Sequence, residues 1–200
     1  YIVGFDYRLL IIDHKFIAAA KRTPAHVIGD GKSTIQQLID KVNSDPRRGY
    51  GHENVLTEII VDKMTQRILR ENKLTLKSKL PKKEVLYLKT TANLSTGGTS
   101  KDVTHKVHPY NVFMAERVSR VIGLDICGMD VMAPDITTPF NENNGAVLEV
   151  NAAPGFRMHL DPTEGFPRNV AEPVIDMLYP PGSNALIPIV GVTGTNGKTT

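Results

Sequence analysis

Apolar and polar residues alternate from residue 2 to 13, with Asp6, Arg8, Leu10 and Ile12 on one side and Phe5, Tyr7, Leu9 and Ile11 on the other. That period of two predicts a strand. Lys15 to Val27 predicts its antiparallel return, closed by a Gly29-Asp30-Gly31 turn. A helix is expected from about Thr34 to Asn43, capped by Ser33, with Ile35, Leu38, Ile39 and Val42 on one side. The string Gly29-Asp30-Gly31-Lys32-Ser33 is thereby explained as turn plus cap and not as a phosphate loop. A loop over 45–49 leads to a second region, helical over Asp62–Glu71, loop-like over Thr75–Glu84, and extended at Val85–Leu88 before the turn of 94–99. Val112, Ala115, Val118 and Ile122 recur at helical spacing within Tyr110–Ile122, as core contacts would. Strands at Ile126–Ala133 and Ala146–Asn151, joined by a loop rich in Pro, Asn and Thr, predict a hairpin, and Asn169–Leu178 predicts a final helix.

Two prolines and a glycine in Tyr179–Asn184 mark a linker, and a domain boundary is expected across 179–187. Beyond it, the apolar run Ile187–Thr193 reads as a buried parallel strand. Gly194-Thr195-Asn196-Gly197-Lys198-Thr199-Thr200 follows as a phosphate-binding loop. In such a loop, backbone N–H groups wrap the anion, Lys198 adds positive charge, and Thr199 or Thr200 can hold a Mg²⁺ ion. The spacing departs from the standard Walker loop, because Val192 stands where its first glycine would fall. G-T-N-G-K-T-T instead resembles the ATP loop of the Mur ligase superfamily.

Composition narrows the class. With 40% hydrophobic and 22% charged residues, the 200-residue chain is expected to be globular and large enough to bury a core. No apolar stretch has the length of a membrane span. The single cysteine, Cys127, lies in an apolar run and is expected to be a packed core thiol, which fits a reducing cytoplasm. The net charge of +3 is too small to point to nucleic acid, but Lys63–Lys89 holds nine Lys or Arg against Glu71 and Glu84. That segment reads as a solvated basic face or as a surface for an acidic ligand.

The chemistry gathers on the predicted hairpin. Glu149 and Asn151 are two apart and share a strand face, to which Val147 is also assigned, with Leu148 and Val150 directed into the core. Asp130 on the neighbouring strand can complete an oxygen cluster suited to a hard cation such as Mg²⁺. Two adjacent carboxylates repel unless a cation lies between them.

The pairing of G-M-D-V-M with V-L-E-V-N-A-A-P-G resembles the C-terminal lobe of ATP-grasp ligases. The resemblance implies that Asp130, Glu149 and Asn151 hold the Mg²⁺ ions that bridge ATP phosphates. It also implies that Arg8, in F-D-Y-R-L-L, is the arginine facing phosphate or substrate carboxylate, a role that suits a planar, permanently charged fork. Ser95, Gly97 and Gly98 are expected to offer a hydroxyl and open N–H groups to a substrate carboxylate or acyl phosphate. Arg157 and His159 are candidates for contact with phosphate or substrate.

The expected fold is therefore an α+β ATP-grasp C-terminal lobe, a mostly antiparallel sheet with packed helices, over residues 1–178. Residues 53–107 form an inserted basic segment, and the first strand and loop of an α/β Mur ligase-like domain begin at 188. An ATP-grasp lobe joined to a Mur-type loop is similar to ligases that polymerise amino acids through acyl phosphates. The implied product has an aspartate backbone with arginine side branches, made with ATP and Mg²⁺ by a cytoplasmic homo-oligomer without nucleic-acid or membrane partners. The lobe carrying the adenine pocket is expected before Tyr1, so these 200 residues alone are expected to lack ligase activity. Two alternatives stay open: an ATP-grasp ligase of glutathione or glutamate-ligase type, and a non-catalytic ATP-binding module.

Overall fold

The computed structural model describes residues 3–51, 53–184, 186, 188–191, 193 and 194. The strands are β1 (Phe5–Ile12), β2 (Lys15–Thr23), β3 (His26–Ile28), β4 (Arg48–Gly49), β5 (Leu56–Thr57), β6 (Val85–Tyr87), β7 (Thr99–Asp102), β8 (Ile126–Ala133) and β9 (Ala146–Asn151). The helices are α1 (Ile35–Asn43), α2 (Lys63–Glu71), α3 (Pro109–Ile122), α4 (Arg157–Leu160) and α5 (Ala171–Leu178).

Five strands form one antiparallel sheet in the order β7-β2-β1-β8-β9. The alternation along β1 sorts its side chains as the pattern predicts. Tyr7, Leu9 and Ile11 join Cys127, Met129 and Val131 of β8 in a core against Ala115, Met114 and Val118 of α3. On the opposite face, Leu10, Ile12 and Ala18 pack with Val170 and with Val174 and Met177 of α5. The polar residues Asp6 and Arg8 share that second face, so the functional side of the sheet is the side that α3 does not cover. Cys127 is buried in the first core as expected, and burial pushes its thiol pKa up.

A smaller core lies under the antiparallel pair of β3 and β6, where α1 and α2 bury Ile35, Leu38, Ile39 and Leu69 against Val27, Leu86 and Leu88. Local details depart from the sequence reading. The predicted return strand splits at Pro24 into β2 and β3, because proline cannot donate to the ladder. The cap of α1 is Thr34, not Ser33. Thr34 Oγ1 accepts from Gln37 N while the Gln37 side chain accepts from Thr34 N, a capping box. Ser33 instead donates its hydroxyl to Asp30. Ile122, assigned to the core by spacing, is exposed at the last turn of α3.

The 188–191 stretch forms no strand, and Ile189 and Val190 are exposed. A parallel strand requires neighbours on both edges to bury such a run, and the described residues supply none to it. Gly194 is described; Thr195, Asn196, Gly197, Lys198, Thr199 and Thr200 lie outside the described residues.

Candidate active site

The site is assembled by register. Arg8 of β1 lies opposite Asp130 of β8, and Asp130 lies opposite Glu149 of β9. Directly paired residues project from the same face, so the three side chains meet on the face shared with Asp6. The ladder shifts between Asp130 and Val131, and the next pair is Val131 with Val147. Leu148 is therefore the extra residue of a β-bulge, a device that re-aims side chains beside functional sites. The bulge corrects the expected facing. Val147 turns to the α3 side, near Tyr110 and Met114, and Leu148 is exposed beside Glu149 instead of entering the core. Val150 packs into the core as expected.

Asp130 is buried and held by two arginines. Arg8 Nε donates to Oδ1, and Arg8 Nη2 donates to Oδ2 at 3.0 Å. Arg22 Nη2 lies 2.9 Å from the same Oδ2 and 2.6 Å from Asp6 Oδ1, while Arg22 Nε donates to Asp6 at 2.7 Å. Burial alone would raise the Asp130 pKa, but the Arg8 bond and the Arg22 charge outweigh it and hold the carboxyl below its usual value. At Asp6 the balance tips the other way, and burial raises its pKa despite Arg22. The four-residue cluster is formally neutral, and Glu149, which forms no ion pair among the described residues, adds a negative charge beside it.

Glu149 is exposed, and Asn151 Nδ2 donates to its Oε1 at 3.0 Å. Glu149, the Asn151 amide oxygen and the lone pair that Asp130 Oδ1 keeps beside its bond from Arg8 would suit a hard divalent cation that also keeps water or phosphate oxygens. They line or adjoin a cavity of about 770 Å³. Phe5, Met132 and Leu148 give it apolar walls, and Lys21, Arg22 and Lys89 give it cations. Lys89 is buried against Asp62 at 2.6 Å. Lys21 lies 3.0 Å over the centre of the Phe5 ring, and burial and then Lys101 lower its pKa.

The remaining candidates divide. Ser95 is exposed on a short 3₁₀ turn, Leu94–Thr96, and its hydroxyl makes no hydrogen bond among the described residues. Gly97 and Gly98 are buried, and their N–H groups donate inside the turn to Leu94 O and Asn93 O. They are not open donors. Gly97 has φ +91°, and a Cβ there would lie 2.8 Å from Ile59 Cγ1, so the glycines serve geometry. Arg157 is half-buried, and its Nη1 donates to Asn54 O at 2.9 Å, tying α4 to the loop before β5. His159 is buried near the arginines, and its Nε2 has no hydrogen-bond partner among the described residues. Burial, joined by the Arg8 and Arg22 charges, pushes its pKa down to about 4.

Sequence reasoning missed Arg22, Asp6, Lys89 and Gly128. A cation directly after the run Ala18-Ala19-Ala20-Lys21 on a predicted inner strand was the available signal for Arg22. Gly128 lies two residues before Asp130 on the same face. A Cβ there would come 2.9 Å from Arg8 Cδ and 2.7 Å from Pro154 Cβ, so its bareness gives the Arg8 fork its space.

The chain is similar in sequence and in fold to proteins already known. The chain is 56% identical over 200 residues to cyanophycin synthetase of Synechocystis sp., covering 100% of this chain and 23% of that protein. It is 59% identical over 197 residues to the cyanophycin synthetase of Crocosphaera subtropica, covering 98% of this chain and 23% of that protein. The chain thus spans about a quarter of the length of these relatives. Among solved structures, a bifunctional glutathione synthetase from Pasteurella multocida superposes with a TM-score of 0.76 at 33% identity, over 90% of this chain and 24% of that one. No family model matches the sequence.

Proposed function

We propose a catalytic role on the premise that this chain belongs with the cyanophycin synthetases and folds as an ATP-grasp lobe. In this reading it is part of an ATP-dependent carboxylate–amine ligase that polymerises aspartate and arginine into cyanophycin. The carrying observation is the line Arg8–Asp130–Glu149 across three strands, of which Asp130 and Glu149 line the cavity together with Arg22.

A carboxylate is a poor acyl acceptor until one oxygen becomes a phosphate leaving group, and the negative charges then brought together must be screened. Mg²⁺ bound by Asp130, Glu149 and Asn151 would supply that screening on the ATP phosphates. Arg8 and Arg22 present fixed guanidinium groups whose orientation Asp130 and Asp6 maintain. Lys21 and Lys89 add positive potential along the same cavity. The walls formed by Phe5, Met132 and Leu148 offer an apolar surface on which a planar base can rest. The Ser95 hydroxyl has no partner among the described residues and would be available to a substrate carboxylate, while Gly97 and Gly98 shape the turn that carries it. Arg157 and His159 act on substrate through position: Arg157 braces the Asn54 loop, and His159 backs the arginine pair.

The wider reading assigns residues 1–178 to the ATP-grasp region, 53–107 to its basic insertion, 179–187 to a linker, and 188 onward to a Mur ligase-like module with a second ATP loop. A cytoplasmic homo-oligomer accompanies it. No helix among the described residues is long and apolar enough to cross a membrane. The test supplies the full-length protein with ATP, Mg²⁺ and a short aspartate–arginine primer, plus aspartate, arginine or both. Polymer growth only with both amino acids supports the reading. ATP turnover with a different amino acid or peptide, as in a glutathione-type ligase, would replace it.

A further inference from the structure

A second cavity, of about 400 Å³, shares no lining residue with the cavity at Asp130. Its walls are mostly apolar, including Ile28, Leu38, Val42 and Leu56. Arg48 also lines it and is only 8% exposed. The side-chain hydrogen bonds of Arg48 among the described residues both come from Nη1, to Thr57 O and to Gly97 O. Both hydrogens of that nitrogen are thereby used. The other edge of the guanidinium, Nε with Nη2, makes no hydrogen bond among the described residues. No carboxylate lies within ion-pair distance of Arg48 among them either.

The carboxylates that line this cavity are engaged elsewhere. Asp45 is gripped by the Arg47 side chain and backbone, which hold its pKa down to about 2. Asp30 accepts from Lys32 N, Ser33 N and the Ser33 hydroxyl. Lys41, also in the lining, is exposed and has no ion pair among the described residues. The cavity therefore carries a buried guanidinium with a free hydrogen-bonding edge and Lys41 at its rim, while the oxygens of Asp30 and Asp45 in the same lining are occupied by other donors. Burying a guanidinium without a counter-ion is costly, and its Nε–Nη2 edge is the geometry that takes a carboxylate bidentately. The volume is that of a small-molecule site.

We propose that this cavity binds a small carboxylate of amino-acid size, taken side-on by Arg48 with Lys41 at the rim. Arg48 also holds Gly97 O, so the ligand shares its anchor with the turn that carries Ser95. The inference does not depend on the ligase reading, because it needs neither ATP nor a metal.

Calorimetric titration of the full-length protein with L-aspartate and with succinate, without nucleotide or divalent cation, tests it. Saturable binding of at least one is expected, weakened roughly tenfold or more in Arg48→Met. Lys41→Glu, an exposed change that leaves the fold intact, is expected to weaken it several-fold, and Glu149→Gln to leave it unchanged. Should Arg48→Met fail to fold, Lys41→Glu decides alone. Absence of saturable binding, affinity indifferent to Lys41→Glu, or loss in Glu149→Gln would overturn the proposal. Arg48-dependent binding in a protein without ligase turnover would remove the ligase reading and leave this site standing.

Discussion

Arg8 and Asp130 face each other across β1 and β8, and both Asp130 oxygens are taken by guanidinium nitrogens from Arg8 and Arg22. Two strands that could slide by a residue are thereby tied in one register, since a slip would send Asp130 into the apolar core on the α3 side.

Removing the carboxylate leaves two buried arginines with less than their share of negative charge. Asp130→Asn is expected to destabilise the fold by about 3–5 kcal/mol, as breaking a buried ion pair does. Denaturant unfolding of the variant and of Arg22→Met, with the double variant completing a cycle, measures it. Additive losses would show that Arg22 and Asp130 are not coupled.

Gly128→Ala places a methyl group against Arg8 Cδ and Pro154 Cβ. The proline ring has no rotamer by which to withdraw, so the arginine must move. The expected cost is about 1–3 kcal/mol, as for overpacking, with a larger loss in turnover than stability alone explains. A variant with normal stability and normal kcat would mean that Arg8 has room to spare.

Gly97→Ala and Ser95→Ala separate structure from chemistry on one turn. Alanine at a φ of +91° beside Ile59 should lower the melting temperature. Ser95→Ala, at an exposed hydroxyl without partners among the described residues, should leave it unchanged while weakening the use of substrate. Equal thermal shifts in the two variants would contradict this division.

His159 sets an acid limit. Its pKa is near 4 in the folded protein, depressed from 6.5 by burial and the nearby arginines. The unfolded chain therefore binds a proton that the folded one refuses. The stabilisation is complete above pH 6.5 and is lost as pH falls towards 4, about 3 kcal/mol in all. Unfolding free energies measured from pH 7 to 4.5 should fall less steeply for His159→Gln, provided that its amide is accommodated; parallel curves would refute the assignment.

The sequence carried the sheet and the line of the site in a legible form because both depend on period-two alternation. Asp6, Arg8, Leu10 and Ile12 face one way whatever their partners are, and the hairpin of β8 with β9 follows from two apolar runs and a turn-rich loop. What alternation cannot register is a break in itself. The bulge at Leu148 reversed the faces of Val147 and Leu148, and nothing in L-E-V-N announces an inserted residue. Arg22 and Gly128 were missed for another reason: their importance lies in what stands across the sheet, an Asp130 to hold and an Arg8 to admit. Gly97 and Gly98 look like a phosphate cradle in sequence, but their N–H groups close their own turn.

Substitution of Glu149 by glutamine in the full-length protein tests the central claim most directly, because this side chain is exposed and its loss does not unpair the arginines. ATP turnover with primer and aspartate is expected to fall by at least about a hundredfold, consistent with the loss of a catalytic charge partner, while the melting temperature stays unchanged. Turnover within a few-fold of the parent would contradict a catalytic role for the Asp130–Glu149–Asn151 set.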